Sequence, residues 1–477
     1  MNYRMTIYIL GLLLAFEGAF MAVPLLTAAV YGEHEILIFA AVAAACLLIG
    51  GIITRFKPKD RTLGARDGFV IVALSWLLLS FFGALPLWLS RAIPKFIDAL
   101  FEAVSGFTTT GASILHDLDS LPKCMIMWRS FTHWIGGMGV LVFIMAVLPL
   151  AGGTNMYLMK AESPGPSVSK LVPRVRKTAI WLYVIYIAMT ILEFILLVIC
   201  RMPLFDAINI AAATAGTGGF GISNAGMMIY NPVCIWIVTV FMLLFAVNFT
   251  CYFLLVTGKF KEVINSEVKV FFCIVAAAIA VITFNVRGMF RGTGEALMHV
   301  SFTVSSLISS TGFSTADFNL WPTLSKTILV MLMFVGACAG STGGGIKVQR
   351  FIILFKNMHN ELRVMTHPRE VKKLRIDGQP VDTAVISSVH VYLACYILVY
   401  AASLLILSCD HSDLTTNFTA VVATLNNIGP GLGEVGPTSN FDVYSTVSKS
   451  VLIFDMLAGR LELFPIILLL SPATWKK

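Results

Sequence analysis

Four short segments of the sequence lead through small or polar residues into a glycine. They are Asp98–Gly111, Asp206–Gly219, His299–Gly312 and Thr416–Gly429. Backbone carbonyls that point at a common axis can replace the water shell of a dehydrated cation. Glycine allows the backbone angles that aim successive carbonyls the same way. The four segments therefore predict a cation-binding site built from backbone oxygens.

The residues beside each glycine fit this chemistry because they add oxygen-bearing groups without filling the space between the loops. The predicted ion-binding residues are Thr109, Thr110 and Gly111; Thr217, Gly218 and Gly219; Ser310, Thr311 and Gly312; and Asn427, Ile428 and Gly429. None of them is a lysine or arginine, which disfavours an anion site. The number of carbonyls alone does not discriminate potassium from sodium.

The elements that must position these loops repeat four times along the chain. Six residues before each glycine stands a small residue: Ser105, Ala213, Ser306 and Ala423. About ten helix-compatible residues precede each loop, which is too short to cross a bilayer, and an apolar run lies on either side. The predicted repeat is a span, a short helix, a glycine loop and a second span, and internal repeats are common in transporters. The alternative is that short re-entrant pieces merely pack between the helices.

The composition is that of a membrane protein, with 57% hydrophobic and only 13% charged residues. Because about 20 apolar residues cross a bilayer as a helix, we expect ten spans. They are Met5–Val30, Ile36–Thr54, Val70–Leu89, Phe131–Leu150, Thr178–Ile199, Val233–Val256, Val270–Thr283, Thr327–Cys338, Ala384–Ser408 and Ser450–Leu470. With the N-terminus inside, most of the 34 lysines and arginines lie on the cytoplasmic side, which satisfies the positive-inside rule. Both termini are therefore predicted to be cytoplasmic, and the net charge of +8 does not indicate nucleic-acid binding.

No pattern in the sequence is typical of an enzyme. The nine cysteines are scattered singly without a C-x-x-C pair, and the eight histidines form no cluster. Disulfides, a zinc site and a bound cofactor are therefore not expected, and no Ser-His-Asp or H-E-x-x-H arrangement is present. A membrane-embedded enzyme would require a nucleophile, an acid–base pair or metal ligands clustered at one depth, and the sequence contains no such cluster. A purely structural subunit would leave four polar loops at membrane depth without a use.

A glycine-rich stretch interrupts the span after the third loop. From Lys326 to Ala339 the sequence predicts a helix. The stretch that follows is Gly340, Ser341, Thr342, Gly343, Gly344 and Gly345. Each glycine costs about 1 kcal/mol relative to alanine in a helix, and a break inside the membrane must line a cavity. The alternatives are a flexible cap before an interfacial helix, or a phosphate-binding loop, which is disfavoured because Lys347 does not complete the G-x-x-x-x-G-K-[ST] spacing.

Arg460 lies in the middle of the last apolar run. An arginine there costs at least about 2.5–3.5 kcal/mol on insertion scales, so it is predicted to face the protein interior and be paired. Asp455 and Glu462 are the candidate partners. A salt bridge that only holds helices together is the alternative to a role in transport. Glu193, inside the fifth span, also requires a partner, which the sequence does not identify.

Three longer blocks accompany the four loops. They are GACAGSTGGGIKVQR (Gly336–Arg350), AESPGP (Ala161–Pro166) and GRLELFP (Gly459–Pro465). Together with the loops, these blocks resemble the TrkH potassium-uptake proteins of bacteria, members of the Trk/Ktr/HKT superfamily. The resemblance extends over essentially the whole chain, including two extra helices at the N-terminus.

The resemblance implies an all-α integral membrane protein with four pseudo-repeats of M1, pore helix and M2 around a central pore. Two extra transmembrane helices precede them, giving ten spans and four re-entrant pore helices. It further implies that the four loops form a potassium selectivity filter, that Gly340–Gly345 is a movable intramembrane loop beneath it, and that Arg460 faces the pore. A single key glycine in each loop, rather than T-V-G-Y-G, implies looser selectivity than in tetrameric potassium channels.

The resemblance also implies partners and a location. It points to a homodimer in the bacterial inner membrane, with a pore in each protomer and potassium as substrate. A cytosolic TrkA-like RCK subunit that binds NAD(H) or ATP/ADP would control the gate. The cytoplasmic loops Ala151–Lys177 and Lys356–Asp382 are basic and long enough to dock it, and contact with lipid headgroups is the alternative.

Five regions follow from these patterns. They are 1–66 (an N-terminal two-helix unit), 67–151 (pore repeat 1), 152–266 (pore repeat 2 with its preceding cytoplasmic loop), 267–375 (pore repeat 3 with the broken M2 and intramembrane loop) and 376–477 (pore repeat 4). The expected function is gated potassium uptake. A proton- or sodium-coupled potassium symporter and a less selective monovalent cation transporter stay open, because coupling leaves no clear mark in the sequence.

Overall fold

The structure, a computed structural model, describes residues 1–60, 63–147, 175–367 and 374–475. The predicted AESPGP block and nearly all of the basic loop Ala151–Lys177 lie outside the described residues, as do Lys476 and Lys477. The chain is mostly helical, as expected. The only strands in the described part are β1 (Arg375–Ile376) and β2 (Gln379–Pro380), an antiparallel pair in which Ile376 lies opposite Gln379. This hairpin departs from the all-α expectation.

Twenty α-helices are described. The first six are α1 (Tyr3–Phe20), α2 (Ala22–Tyr31), α3 (Ile36–Arg55), α4 (Ala65–Leu89), α5 (Phe96–Phe107) and α6 (Lys123–Val147). Next come α7 (Val175–Ile199), α8 (Leu204–Gly216), α9 (Pro232–Ala246), α10 (Phe249–Val256), α11 (Phe260–Val263), α12 (Ser266–Val286), α13 (Thr293–Ile308) and α14 (Thr323–Val335). The last are α15 (Val348–Thr366), α16 (Thr383–Leu407), α17 (Leu414–Leu425), α18 (Thr446–Arg460), α19 (Phe464–Leu470) and α20 (Pro472–Trp475).

Six helical segments of the described chain are long and apolar enough to cross a membrane. They are Tyr3–Tyr31, Ile36–Arg55, Arg66–Leu89, Ile180–Ile199, Ser266–Met289 and Thr383–Leu407. The bent pair α9 and α10 would make a seventh. The protein is therefore a multi-pass membrane protein, and the number of ten spans stays a prediction.

Three of the apolar runs are broken in the structure. The run Val233–Val256 bends by 92° between α9 and α10, which the sequence did not predict. The predicted helix Lys326–Ala339 is wrong at both ends, because α14 starts at Thr323 and ends at Val335, where Gly336 turns to a φ of 69°. In the last run the helix stops at Arg460 and restarts at Phe464.

The four segments before the glycine loops begin as the short helices α5, α8, α13 and α17. An acidic residue lies at or near the start of each one, where the positive end of the helix dipole favours it. In α17 this residue is Asp413, whose Oδ1 accepts a hydrogen bond from the backbone N–H of Thr416 at 3.0 Å. The helices therefore start where the sequence signals place them and end in the loops.

The N-terminal unit is held together by small residues. Helices α1 and α3 approach so closely that a Cβ atom on Gly18 would lie 2.9 Å from the carbonyl oxygen of Ala43. A Cβ on Gly50 would lie 2.5 Å from the carbonyl oxygen of Gly11. Such small-residue contacts let helix backbones pack closely in a membrane. The ring of Phe39 on α3 then meets Trp128 of α6 edge-on, which joins α3 to α6.

Candidate functional site: four glycine loops and a broken helix

The four loops share one backbone conformation. In each loop the glycine and the residue two positions before it both have positive φ. The φ angles are 55° and 79° at Thr109 and Gly111, 54° and 67° at Thr217 and Gly219, 60° and 87° at Ser310 and Gly312, and 53° and 100° at Asn427 and Gly429. Positive φ is strained for residues other than glycine and persists only where the surroundings hold it. Four segments of different sequence are thus held in the same path.

The loops also form a closed ring. A Cβ atom on each glycine would meet the carbonyl oxygen of the residue just before the glycine of the next loop. The neighbouring pairs are Gly111 with Gly218, Gly219 with Thr311, Gly312 with Ile428, and Gly429 with Thr110. In the last pair the distance from the added Cβ to the oxygen would be 2.8 Å. Only glycine fits at these positions, and the four loops surround one axis.

A cavity opens onto this ring. Its volume is about 1120 Å³, counting the open mouth, and all four glycines line it. The residues that follow each glycine form the rest of the wall, among them Ser113, Phe220 and Pro430. A hydrated ion can therefore approach all four loops from one side.

The polar side chains of the loops are engaged with protein groups. The Thr110 hydroxyl lies 2.8 Å from that of Thr108 and accepts from Nδ2 of Asn427 at 2.9 Å. The hydroxyls of Thr217 and Ser310 each donate to the preceding carbonyl at 2.6 Å. These side chains hold the loops in place, while Oδ1 of Asn427 has no hydrogen-bond partner within the described residues.

A charged pair behind the first two loops was missed by the sequence analysis. Nε of Arg129 donates to Oε1 of Glu102 at 2.8 Å, and both side chains are almost fully buried. Glu102 also accepts from the N–H of Ile114, three residues after Gly111. Nη1 of Arg129 donates to the carbonyl of Gly221, two residues after Gly219. The pair therefore bridges loops 1 and 2, and the signal for it was two ionisable residues within apolar surroundings.

His133 lies one helical turn beyond Arg129 on α6 and reaches the same two loops. Its Nε2 accepts from the backbone N–H of Phe220 at 3.2 Å, so Nδ1 carries the proton and donates to the carbonyl of Gly106 at 2.9 Å. The guanidinium of Arg129 lies 4.1 Å from the centroid of the Phe220 ring. We call Glu102, Arg129 and His133 the brace, because together they fix loop 2 to the first short helix.

The glycine-rich stretch Gly340–Gly345 lies at the bend between α9 and α10. The backbone N–H of Cys338 donates to the carbonyl of Ala246 at 3.0 Å, and the N–H of Phe249 donates to the carbonyl of Gly340 at 3.0 Å. Each break leaves backbone groups without helical partners, and inside a membrane such groups must be paired within the protein. The two broken helices thus provide hydrogen-bond partners for each other's free backbone groups.

The same stretch lies directly against loops 3 and 4. The N–H of Gly344 donates to the Ser310 hydroxyl at 2.5 Å, and the N–H of Gly345 donates to the carbonyl of Asn426 at 3.0 Å. The buried ammonium group of Lys347 donates to the carbonyl of Gly343. Of the predicted gate residues Gly340, Ser341, Thr342, Gly343, Gly344 and Gly345, Gly344 therefore contacts the predicted ion-binding residue Ser310, and Gly345 contacts Asn426 next to loop 4.

Arg460 joins these two groups of residues. Its Nη1 donates to the Thr109 hydroxyl at 3.1 Å and to the carbonyl of Thr342 at 2.9 Å, and its Nη2 donates to the carbonyl of Gly136 at 2.7 Å. Of the two partners proposed from sequence, Glu462 pairs with Arg350 at 2.5 Å and Asp455 accepts from the Ser403 hydroxyl at 2.7 Å.

A group of charged residues outside the ring is connected by ion pairs. Lys449 donates to Asp98 at 2.8 Å and to Asp442 at 2.5 Å, and His116 lies 3.0 Å from Asp442. Partial burial raises the pKa of Asp442, but the hydrogen bonds from Lys449 and His116 outweigh it and leave the pKa below its usual value. These contacts connect α5 and the segment after loop 1 to α18. The remaining predicted residue, Glu193, is fully buried, and Thr214 of α8 lies beside its carboxyl group.

Comparison with known proteins identifies relatives over the full chain. The sequence profile of the TrkH family, described as cation transport protein, matches residues 34–477. The Trk system potassium uptake protein TrkH of Salmonella typhimurium is 35% identical over 487 residues and covers all of both chains. The Trk system potassium uptake protein TrkI of Halomonas elongata is 31% identical, over 98% of this chain and 96% of its own.

A solved structure agrees with these relatives. The crystal structure of the potassium transporter TrkH from Vibrio parahaemolyticus superposes with a TM-score of 0.89 at 33% identity, over 100% of both chains. The resemblance inferred from the four loops and the longer blocks is confirmed. The chain belongs to the TrkH family of cation transport proteins, whose members are transporters and not enzymes.

Proposed function

We propose that the protein mediates potassium uptake through the ring of four loops. The single observation that carries this proposal is the closed ring, in which the carbonyl before one glycine lies beside the glycine of the neighbouring loop. Carbonyl oxygens arranged around an axis replace the hydration shell of a cation. The relatives named as potassium uptake proteins indicate which cation this is.

In this proposal the filter consists of the residues chosen from the sequence, with the backbone carbonyls of all four loops as ligands. Below it, Gly340–Gly345 and Arg460 form the gate. The loop blocks the path because it contacts Ser310 and Asn426. The positive charge of Arg460, hydrogen-bonded to the Thr109 hydroxyl, repels a cation that leaves the filter. Opening requires both to move away from loops 1, 3 and 4.

The wider assembly is part of the same proposal. The protein is a homodimer in the bacterial inner membrane with both termini in the cytoplasm, and a TrkA-like RCK subunit binding NAD(H) or ATP/ADP controls the gate. This subunit docks on the basic cytoplasmic segments, including the half of α15 beyond Lys356. Since Arg350 in the first turn of α15 pairs with Glu462 beside Arg460, a pull on α15 reaches the gate.

The test is ion flux into liposomes that contain the purified chain, measured with potassium, rubidium, sodium and lithium. We expect potassium and rubidium to permeate faster than sodium and lithium, and Gly312→Ser to abolish the difference, because a side chain there meets the carbonyl of Ile428. The matched control is Gly258→Ser. Gly258 has a similar φ of 78°, but an added Cβ would meet nothing within 4 Å.

Equal flux of all four ions through the wild type would refute a potassium filter. Unaltered selectivity in a folded Gly312→Ser variant would refute the assignment of the loops. Uptake that follows an imposed proton or sodium gradient would identify the protein as a symporter instead of a channel-like pathway.

A further inference from the structure

A second cavity lies outside the ring, between α1, α4 and α6. Its walls include Phe16, Glu17, Phe20, Trp76, Phe107 and Gly136, and the space between them, counting the mouth, is about 540 Å³. Phe16 is 40% exposed on the outer surface of a membrane-spanning segment. The mouth therefore faces the lipid rather than either aqueous side.

One ionisable group lies in this apolar cavity. Glu17 is 1% exposed, and neither of its carboxylate oxygens has a hydrogen-bond partner in the described chain. A Cβ atom on Gly83 would lie 3.3 Å from Oε1 of Glu17, so the carboxyl group is enclosed between α1 and α4. A carboxylate without a partner in such surroundings is too costly to stay ionised, so the group is a neutral acid.

We propose that this cavity binds a lipophilic amine that enters from the bilayer. The uncharged amine takes the proton of Glu17: the O–H bond breaks, an N–H bond forms, and an ammonium–carboxylate pair results. No net charge has to be brought into the membrane interior, which removes the main cost of placing an ion there. The aromatic rings of Phe16, Phe20 and Trp76 then surround the ammonium group, an arrangement that stabilises cations, and the alkyl chain extends through the mouth into the lipid.

The cavity shares two residues with the surroundings of Arg460. The Arg460 guanidinium lies 5.7 Å from the centroid of the Trp76 ring, and it donates to the carbonyl of Gly136 at 2.7 Å. An occupant that displaces Trp76 or Gly136 also shifts Arg460. The amine is therefore expected to change potassium flux, and this step alone rests on the proposed function.

Binding is tested without transport. Dicyclohexylcarbodiimide, a lipophilic reagent, adds to protonated carboxyl groups: the carboxyl proton moves to one nitrogen and the oxygen bonds to the central carbon. We expect mass spectrometry of the full chain in liposomes to find Glu17 labelled. N,N-dimethyldodecylamine, which accepts a proton but forms no amide, should lower this labelling about tenfold at ten times its Kd, whereas dodecane should not. Labelling of Glu193, a buried carboxyl that does not line this cavity, serves as the internal control.

A second measurement tests binding of the amine even if the carbodiimide labels Glu17 poorly. The amine should raise the unfolding temperature of the wild type and not that of Glu17→Gln, because binding to the folded state stabilises it. Absence of both protection and stabilisation would overturn the proposal.

Flux separates this proposal from the proposed function. A change in flux on adding the amine to the wild type, absent in Glu17→Gln relative to its own basal rate, supports the link to Arg460. Binding with unchanged flux refutes that link and leaves the site in place. A chain that binds the amine but carries no potassium refutes the proposed function only.

Discussion

Arg460 is the residue at which the candidate filter and the candidate gate meet. One guanidinium group donates hydrogen bonds to the first glycine loop at Thr109, to the broken helix at Thr342 and to α6 at Gly136. These three acceptors belong to segments far apart in sequence. A charge held by fixed oxygens at this place acts on an ion in the path, because the surroundings screen it less than bulk water does.

Replacing Arg460 with Ala is expected to raise potassium flux about thirtyfold. At an effective dielectric of 20, two unit charges about 8 Å apart repel by about 2 kcal/mol, and their removal speeds passage accordingly. The measurement is rubidium uptake into liposomes. Arg460→Lys, which keeps the charge, should stay close to wild type, and Arg287→Ala, at an exposed arginine, is the control. Unchanged flux in a folded Arg460→Ala variant would show that the residue has a structural role only.

At the scale of elements, the brace explains how loops 1 and 2 keep a strained path. Glu102 holds loop 1 at Ile114, and Arg129 holds loop 2 at Gly221. The ion pair between them is almost fully buried. Breaking such a pair leaves an uncompensated charge, which costs about 3–5 kcal/mol, whereas removing both charges costs far less.

Glu102→Gln is therefore expected to lower both the unfolding temperature and the flux ratio of rubidium to sodium, the latter about tenfold. The double variant Glu102→Gln with Arg129→Met should recover stability, because no buried charge is left unpaired. It should not recover the flux ratio of rubidium to sodium, because Gly221 and Phe220 no longer contact the guanidinium group of Arg129. Thermal unfolding and two-ion flux on the same samples give both quantities, and a wild-type ratio in the double variant would exclude a role in selectivity.

The second pair of elements is the broken helix and the last span. Nη2 of Arg350, in the first turn of α15, donates to Oε2 of Glu462 at 2.5 Å, and its guanidinium lies 4.0 Å from the centroid of the Tyr392 ring. Glu462 follows Arg460 by two residues and has a φ of 54°. This pair connects α15 to the segment that positions Arg460.

Arg350→Gln and Glu462→Gln are each expected to raise basal flux, because either one releases α15 from the last span. In a double-mutant cycle on unfolding, the two changes should be coupled by about 1–3 kcal/mol, as expected for contacting groups. Lys326→Gln, at a lysine on the same broken helix but away from this pair, provides the control. Additive effects of the two changes would show that the pair does not act as a unit.

The sequence predicts some of these elements and not others for physical reasons. Short helices, glycine loops and the glycine-rich break are local signals of hydropathy and backbone freedom. The short helices and loops are found where they were expected, whereas the break begins earlier, at Gly336. The bend at Val247 and Asn248 was missed, although Oδ1 of Asn248 caps α10 by accepting from the N–H of Thr250. Its free backbone groups are paired with Cys338 and Gly340, which only the fold brings there. Glu102 and Arg129 are 27 residues apart, and only the fold makes them a pair.

At the scale of the whole molecule, the ring joins four segments spread from Thr109 to Gly429. Each loop contacts the next, and the ring closes where Gly429 lies against Thr110. Outside the ring, Lys449 of α18 pairs with Asp98 of α5. No part of the chain can form this site alone. An ion bound in the ring would therefore stabilise the packing of all four loops at once.

The unfolding temperature of the purified chain is expected to depend on the ion present. A ligand that binds only the folded state adds about 2.7 kcal/mol at 100 times its Kd, so potassium and rubidium should protect more than sodium and lithium at equal ionic strength. Gly312→Ser should abolish the difference between ions, and Gly258→Ser should preserve it. Equal unfolding temperatures in all four salts would mean that the ring holds no selective ion in the folded protein, and the proposed filter would then have to lie elsewhere in the chain.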